Sequence, residues 1–192
     1  MKIVISLFVL AALLALLKVG CATVRAGYAT APYQVVRQDG KFELREYPML
    51  VVAETPMYGA NNGFMRLFHF IGGENAAQQK IAMTTPVFIN HADRTNATMA
   101  FVMPAGLGTN GTPLPTRSDV TMTQMPAALF AVLRYSGWRS SGNSAEATAK
   151  LTAWLVQKKI TPVGEPMLAY FDPPWTLPFL RRNEVMLRVA RP

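Results

Sequence analysis

The sequence predicts an α+β fold in which antiparallel strands predominate and two helices accompany them. The first observation behind this prediction is a repeat: residues 42–59 align without a gap on residues 120–137, which places Pro48 on Pro126. The second is the order of patterns, because each half has two strand-like segments, one helical segment and two more strand-like segments. Two such halves favour one pseudo-twofold unit of eight strands and two helices, with a ligand cleft along the axis.

The first half opens with residues 42–47, which alternate between apolar and polar as expected of a half-buried strand. Pro48 interrupts this alternation and indicates a bend or an edge before the next strand. A helix is predicted over 61–71, ended by Gly72-Gly73. The apolar residues that share one face of this helix are Phe64, Leu67, Phe68 and Ile71. The other strands of this half are predicted over 50–53, 81–89 and 98–103.

The second half follows residues 105–116, whose glycines, prolines and threonines predict a loop between the halves. Its helix is predicted over 145–159, with Ser144 as the N-cap residue. The apolar face of that helix comprises Leu151, Trp154 and Leu155. Its strands are predicted over 120–125, 128–133, 167–171 and 184–189, so both halves have the same order of elements.

Composition limits the class of function. The chain has 192 residues, of which 51% are hydrophobic and 16% charged, so it is too apolar for a disordered chain. The net charge is +8, but basic residues are spread singly and form no cluster longer than Lys158-Lys159 or Arg181-Arg182. Because no stretch resembles a phosphate-binding basic patch, nucleic acid is not expected as a partner.

Export is predicted from residues 1–21. Lys2 precedes the uncharged run 3–17, which has the length of a secretory signal and is short for a membrane-spanning helix. Residues 22–32 are predicted to form a linker and residues 33–192 the folded domain. The domain is therefore expected outside the cytoplasm, in the periplasm or attached to a membrane, and an uncleaved anchor is the alternative to a cleaved signal.

Cys21 is the only cysteine, so an intramolecular disulfide is excluded. Val19-Gly20-Cys21 resembles the end of a lipobox, at which bacterial lipoproteins are cleaved and acylated, although Lys18 departs from that pattern. Acylation of Cys21 and simple cleavage nearby, for instance after Ala22, both stay open. A lipoprotein would need more than one acyl chain, because a single chain holds a protein only weakly in a membrane.

Three separated motifs are recognisable along the chain. The first joins residues 33–36, Tyr-Gln-Val-Val, to residues 42–47, Phe-Glu-Leu-Arg-Glu-Tyr. The second is 80–87, Lys-Ile-Ala-Met-Thr-Thr-Pro-Val, and the third is 170–175, Tyr-Phe-Asp-Pro-Pro-Trp, followed by Arg-Asn-Glu-Val at 182–185. In sequence and in order these motifs resemble those of the SOUL haem-binding family, and the similarity runs from about residue 33 to residue 189, nearly the whole predicted domain.

This resemblance implies a distorted eight-stranded antiparallel barrel flanked by two helices, which binds haem or another porphyrin without catalysis. It places the macrocycle in an apolar groove beside the first helix, with basic residues near the propionates. The positions assigned in this way are Phe64, Phe68, His69, Arg181 and Arg182. Some animal members of the family use an axial histidine in the first strand, where this chain has Glu46.

His69 and His91 are the only histidines, so an imidazole ligand to haem iron would have to be one of them. His69 lies about 140° around the helix from Phe64, away from the centre of the buried face, and is the candidate axial ligand. His91 falls in a polar loop and is predicted at the surface. The sequence has no zinc-ligand spacing and no nucleophile beside a base, so no catalytic residue is predicted.

The principal hypothesis is a carrier or buffer for haem or a related tetrapyrrole outside the cytoplasm. An envelope protein-interaction module is an alternative, because an exposed apolar groove suits both functions. A small-molecule hydrolase on a related barrel is a further alternative, which requires an acidic residue and a tyrosine that converge in the cleft.

Overall fold

A computed structural model of the protein describes residues 27–57, 62–90 and 97–191. The predicted export signal, with Cys21, and the loop that contains His91 lie outside the described residues. The predicted linker includes a short strand, β1 (Ala29–Thr30), which pairs in parallel with β5 (Thr84–Thr85). Strand pairing therefore begins before residue 33.

The main sheet has nine strands within the described residues, in the order β2-β3-β9-β11-β10-β6-β7-β4-β8. All neighbouring strands in it are antiparallel, so the predicted α+β fold is confirmed. Pro86 divides the predicted strand 81–89 into β5 and β6. The strands are β2 (Gln34–Asp39), β3 (Phe42–Tyr47), β4 (Leu50–Pro56), β6 (Val87–Asn90), β7 (Thr98–Val102), β8 (Thr121–Met125), β9 (Ala128–Tyr135), β10 (Met167–Tyr170) and β11 (Asn183–Val189).

The strand order displays the predicted pseudo-twofold symmetry. The central pair is β6–β10; outward from it come β7, β4 and β8 on one side, and β11, β9 and β3 on the other. The first strand of each half thus pairs with the second strand of the other half, as β3 with β9 and β8 with β4. The ninth strand, β2, stands outside the repeat and pairs only with β3.

Two long helices lie in the described part of the chain, α1 (Asn62–Gly72) and α2 (Ser141–Lys158). The predicted start of α2 at residue 145 was wrong. Ser140 is the N-cap residue, with extended backbone and a hydroxyl that accepts a hydrogen bond of 3.2 Å from the backbone N of Asn143. Ser144, the predicted cap, lies within the first turn and donates to the carbonyl of Ser140 instead. Shorter elements are a helical turn at Gly108–Gly111 and a 3-10 turn at Pro178–Leu180.

Both helices pack on the same, outer face of the curled sheet. Along β9, Ala128, Phe130 and Val132 face the barrel interior, whereas the alternate residues pack against α2. A third core lies beneath α1, where Leu67 and Phe70 meet Phe101 of β7. The side chains thus form an interior core and one separate core under each helix.

The buried face of α1 is rotated from the predicted one. Leu67 and Ile71 are buried as expected, but the positions completing this face are Arg66 and Phe70. Phe64 and Phe68 are 38% and 47% exposed. Arg66 has polar partners on this buried face: its guanidinium donates to the hydroxyl of Thr55 at 2.8 Å and to the carbonyl of Pro56. The phenyl rings of Phe64 and Phe68 lie at the edge of the core instead of at its centre.

One end of the barrel interior contains a buried ionic network. The carboxylate of Glu184, with no exposed surface, accepts bonds of 2.6 and 3.0 Å from Arg45. Arg182 donates a further bond of 2.8 Å to Glu184 and one of 3.1 Å to the hydroxyl of Tyr33. Glu43 accepts a 2.6 Å bond from Arg45. This network joins β3 and β11 across the barrel end, each charge having an opposite partner.

Candidate ligand-binding cleft

A flat ligand has no space inside the barrel, because side chains fill it. The interior core includes Tyr47, Phe88 and Met186, each exposed by 2% or less. The ionic network of Arg45 and Glu184 closes one end of the same interior. The exposed apolar groups beside the helices lie on the outer surface, which makes that surface the candidate ligand site.

The outer surface has a depression between the two helices, along the pseudo-twofold axis. Val87 and Met99 pack against both the core under α1 and the core under α2, so they lie between the helices. On the sheet, Val87 stands opposite Phe101 on one side and Tyr170 on the other. Val87 and Tyr170 are each partly exposed and form the floor of this depression.

The aromatic flank of α1 faces this depression. Arg66 lies about 200° around the helix from Phe64 and so occupies the opposite flank. Arg66 reaches Thr55 on β4 and forms an ion pair of 3.6 Å with Asp119, just before β8, the strand at the edge of the sheet. Phe64 instead meets Phe101 of β7 edge-to-face, with ring centroids 5.3 Å apart. The Phe64 flank therefore faces towards β6.

The two rings of this flank form one apolar surface. Phe68 stacks on Phe64 with centroids 5.9 Å apart and an interplanar angle of 16°. Aromatic pairs in such an arrangement attract each other and present a broad flat edge to a neighbour. Their exposure makes this edge available to a planar ligand.

The opposite side of the depression is polar and cationic. The guanidinium of Arg139 lies 4.7 Å from the centroid of the Tyr170 ring and donates to the backbone carbonyl of Asp172. Although the side chain is exposed overall, partial burial of its guanidinium lowers the pKa of Arg139, and the nearby charge of Arg181 lowers it further. The guanidinium remains charged and exposed, so it can pair with an anion that approaches this side.

Tyr135, at the end of β9, adds a polar group beneath this side. Its hydroxyl is buried and makes no well-oriented hydrogen bond with another described residue, although it lies close enough to Tyr170 to interact with it. Burial raises the pKa of Tyr135, and the neighbouring Tyr170 raises it further, so the hydroxyl keeps its proton. We call this whole space the interhelical cleft, lined by Phe64, Phe68, Val87, Tyr135, Arg139 and Tyr170.

The family profile described as SOUL heme-binding protein matches residues 28–188 of this chain. The chain belongs to the SOUL haem-binding family. The predicted family is thereby confirmed, and with it haem as the cofactor and a tetrapyrrole as the ligand class of this family. Comparison with curated proteins finds no match.

Solved structures show the same fold at low identity. The C-terminal domain of EcmrR is 18% identical with a TM-score of 0.56, over 83% of this chain and 99% of that one. EcmrR in complex with DNA is 16% identical with a TM-score of 0.58, and the match covers 83% of this chain but 58% of that one. A hydrolase from Listeria innocua is 11% identical with a TM-score of 0.55, over 81% and 94% of the two chains. At these identities the likeness concerns the fold alone.

The predicted site residues of this SOUL protein do not all lie together. Phe64 and Phe68 stack, and His69 lies beside them on the exposed side of α1, with its Nδ1 3.6 Å from a carboxylate oxygen of Glu74. Arg181 is buried in the loop before β11 and donates to two backbone carbonyls at 2.7 Å. Arg182 is held by Glu184. The start of β11 is three strand spacings from Phe101, roughly 14 Å across the sheet.

Sequence reasoning missed Arg139, Tyr135 and Val87 as members of the cleft. Arg139 is a single basic residue between Trp138 and a serine pair, and nothing local distinguishes it from other surface cations. Its partners in the SOUL domain, Tyr170 and Asp172, come more than thirty residues later in the chain. The signal that was available was indirect, namely the prediction of a cleft on the pseudo-twofold axis.

The described residues of the SOUL domain contain no group of three or more His, Cys, Asp or Glu side chains placed to hold a metal ion. The same residues include no helix of the length and hydropathy needed to cross a membrane. The cleft does fit a haem-like group in its chemistry. It combines an exposed aromatic edge with an arginine guanidinium held over Tyr170, which suit a flat apolar ring with carboxylate substituents.

Proposed function

We propose that this protein binds haem or a related tetrapyrrole in the interhelical cleft, outside the cytoplasm, and acts as a carrier or buffer without catalysis. The observation that carries the proposal is the convergence, in one cleft of a SOUL domain, of the Phe64–Phe68 edge and the Arg139 guanidinium. An apolar edge and a cation on opposite sides match a ligand that is apolar along one margin and anionic along the other.

The macrocycle packs on the phenyl rings of Phe64 and Phe68 and extends over Val87 and Tyr170 towards β10. Apolar area covered in this way is the main source of affinity, because each Å² removed from water contributes about 25 cal/mol. The aromatic faces also stack favourably on a planar conjugated ring.

A propionate of the ligand pairs with Arg139. Arg181 was predicted to be a basic neighbour of the propionates, and it keeps that role indirectly, because its bonds to the carbonyls of Thr176 and Pro174 hold its charge behind Arg139. Arg182 lies farther from the cleft, where Glu184 compensates its charge and Tyr33 accepts a hydrogen bond from it.

Iron ligation contributes little to affinity in this scheme. His69 is the candidate axial ligand, but it is 47% exposed and its ring points towards Glu74. A tyrosine and an acid do meet in this fold, as Tyr47 and Glu184, yet both are buried inside the barrel where no substrate enters. We therefore infer binding rather than hydrolysis, and we place the domain in the periplasm or on a membrane through residues 1–21 or an acylated Cys21.

The experiment that tests this proposal compares haemin with its dimethyl ester, which lacks the propionate charges. Absorbance titrations of the wild-type protein should show saturable one-to-one changes in the Soret band with both compounds. Arg139→Gln should weaken haemin binding about 10- to 150-fold, the value of a charge-assisted hydrogen bond of about 1.5–3 kcal/mol. The same substitution should leave binding of the ester nearly unchanged.

The matched control is Arg37→Gln, which removes an exposed arginine on β2, far along the sheet from the cleft. It should bind both compounds as the wild type does. Equal losses for haemin and for the ester in Arg139→Gln would contradict the propionate pairing. A wild-type protein that shows no saturable change with either compound would overturn the proposed function altogether.

A further inference from the structure

A second exposed apolar surface lies on two loops at one end of the sheet, separate from the Phe64–Phe68 edge. Its large side chains, with their exposed fractions, are Trp138 (67%), Trp175 (74%), Leu177 (46%) and Phe179 (63%). Loop 136–140 follows β9 and carries Trp138, and loop 171–182 joins β10 to β11 and carries the other three. We call these four residues the loop-end surface. Exposed aromatic residues in such a cluster mark a contact surface rather than ordinary surface variation.

The two loops form one fixed unit. The backbone N of Gly137 donates to the carbonyl of Pro178 at 2.9 Å, and Arg139 donates to the carbonyl of Asp172. Arg181 donates to two carbonyls of its own loop, and its guanidinium lies 5.4 Å from the centroid of the Trp138 ring. The exposed rings are therefore presented by a bonded frame, so their exposure is not a property of a loose loop.

The chain enters the domain at the same end of the sheet. β1 runs parallel to β5, and the backbone N of Ala31 donates to the carbonyl of Thr85 at 2.7 Å. β5 leads into β6, whose first residue, Val87, stands opposite Tyr170, where loop 171–182 begins. Cys21 is six residues before Gly27, the first described residue, and six extended residues span at most roughly 20 Å. Any attachment near Cys21 thus holds this end of the domain close to a membrane.

We propose that the loop-end surface docks on the surface of an anionic phospholipid bilayer. Tryptophan favours the interface between headgroups and acyl chains, because its ring is apolar while the indole N–H keeps a polar partner. Phenylalanine and leucine insert beside it as purely apolar groups. The charges of the two loops also suit an anionic surface: Arg182 is paired with Glu184, which leaves Arg139 and Arg181 against one acid, Asp172. That acid is buried and accepts a hydrogen bond from the backbone N of Arg182.

Docking would fix the orientation of the domain on the membrane. Because Tyr170 belongs both to the floor of the interhelical cleft and to the strand that ends in loop 171–182, the cleft would open beside the bilayer. Docking does not depend on tetrapyrrole binding and is tested without a ligand.

The test uses tryptophan fluorescence of the full chain reconstituted, free of haem, in vesicles of phosphatidylethanolamine and phosphatidylglycerol. Parallel vesicles contain the same lipids brominated near the glycerol end of the acyl chains, which quench only rings in direct contact with lipid. The chain has three tryptophans, and Trp154 is an internal reference, buried on α2 and stacked on Phe42 at 5.1 Å. Trp154→Phe leaves only the loop-end indoles, and Trp138→Phe/Trp175→Phe leaves only the reference.

We expect brominated lipid to remove most of the fluorescence of Trp154→Phe and little of that of Trp138→Phe/Trp175→Phe. The emission of Trp154→Phe should also shift to shorter wavelength when the lipid is added. Fluorescence of Trp154→Phe that is equal in brominated and unbrominated vesicles would overturn the proposal, since both indoles would then be away from lipid. Vesicles of phosphatidylcholine alone should give weaker quenching; equal quenching in them would refute the anionic preference.

Discussion

Removing both phenyl rings from α1 should weaken haemin binding more than any other apolar substitution on the surface. Phe64 and Phe68 are 38% and 47% exposed, and their rings stack at 5.9 Å. A phenylalanine side chain has about 200 Å² of surface, so the pair offers roughly 170 Å² to a ligand.

The size of the effect follows from this area. Covering 170 Å² at about 25 cal/mol per Å² contributes about 4 kcal/mol, and half of that if the ligand covers only half of the edge. Phe64→Ala/Phe68→Ala should therefore weaken haemin binding roughly 30- to 700-fold. Phe68→Ala alone should account for the larger share, because Phe64 also packs on Phe101 and is less exposed.

The assay is the Soret titration of the wild type, both single variants and the double variant. Val156→Ala is the matched control, because Val156 is an apolar residue on α2 that is 74% exposed and lies on the solvent side of that helix. It should bind haemin as the wild type does. Far-ultraviolet circular dichroism establishes that the double variant is folded, and a folded double variant with affinity within about threefold of the wild type would refute the packing on α1.

Three further predictions concern the rest of the molecule. Glu184→Gln should lower the free energy of unfolding by about 3–5 kcal/mol, because it leaves Arg45 and Arg182 without their buried carboxylate. Glu43→Gln, at the partly exposed margin of the network, should lower it by about 1 kcal/mol or less. Equal losses of the two variants in urea unfolding would contradict the role of the network. Tyr47→Phe should be nearly neutral near pH 7, because the hydroxyl it removes is buried and makes no well-oriented hydrogen bond among the described residues. Burial, reinforced by the charge of Glu184, raises the pKa of Tyr47 above its ordinary 10.0. The contribution of the neutral Tyr47 phenol to the free energy of unfolding is therefore fully present below that pH and is lost as the pH rises beyond it. Urea unfolding at about pH 8 and about pH 11 should show a smaller loss of stability at alkaline pH in Tyr47→Phe than in the wild type, and an identical loss would exclude Tyr47 as a cause. His69→Ala should change haemin affinity by less than about threefold, whereas Arg181→Glu/Arg182→Glu should weaken it and also destabilise the loop frame; the reverse order of affinities would identify His69 as an axial ligand.

The elements that the sequence predicted best are those with one buried face. The strand 42–47 has the bounds of β3, because its alternate residues Arg45 and Tyr47 enter the interior while Phe42 and Leu44 pack beneath α2. β2 was missed for the opposite reason. Five of its six residues are exposed, so burial imposes no alternation on its sequence, and only the backbone bonds to β3 define it.

The candidate site shows where local pattern stops being informative. The spacing of Phe64 and Phe68 places them on one flank of a helix, but periodicity alone cannot separate a core-facing flank from a ligand-facing one. The contacts of Arg66 identify the core-facing flank: Arg66 bonds to Thr55, eleven residues before it, and pairs with Asp119, more than fifty residues after it. Arg139 depends in the same way on Tyr170 and Arg181, which β10 and β11 bring to the end of β9. The proposed site between the two repeats thus depends on contacts that cross from one repeat to the other. For that reason the sequence could suggest its aromatic wall, Phe64 and Phe68, but not the cation Arg139.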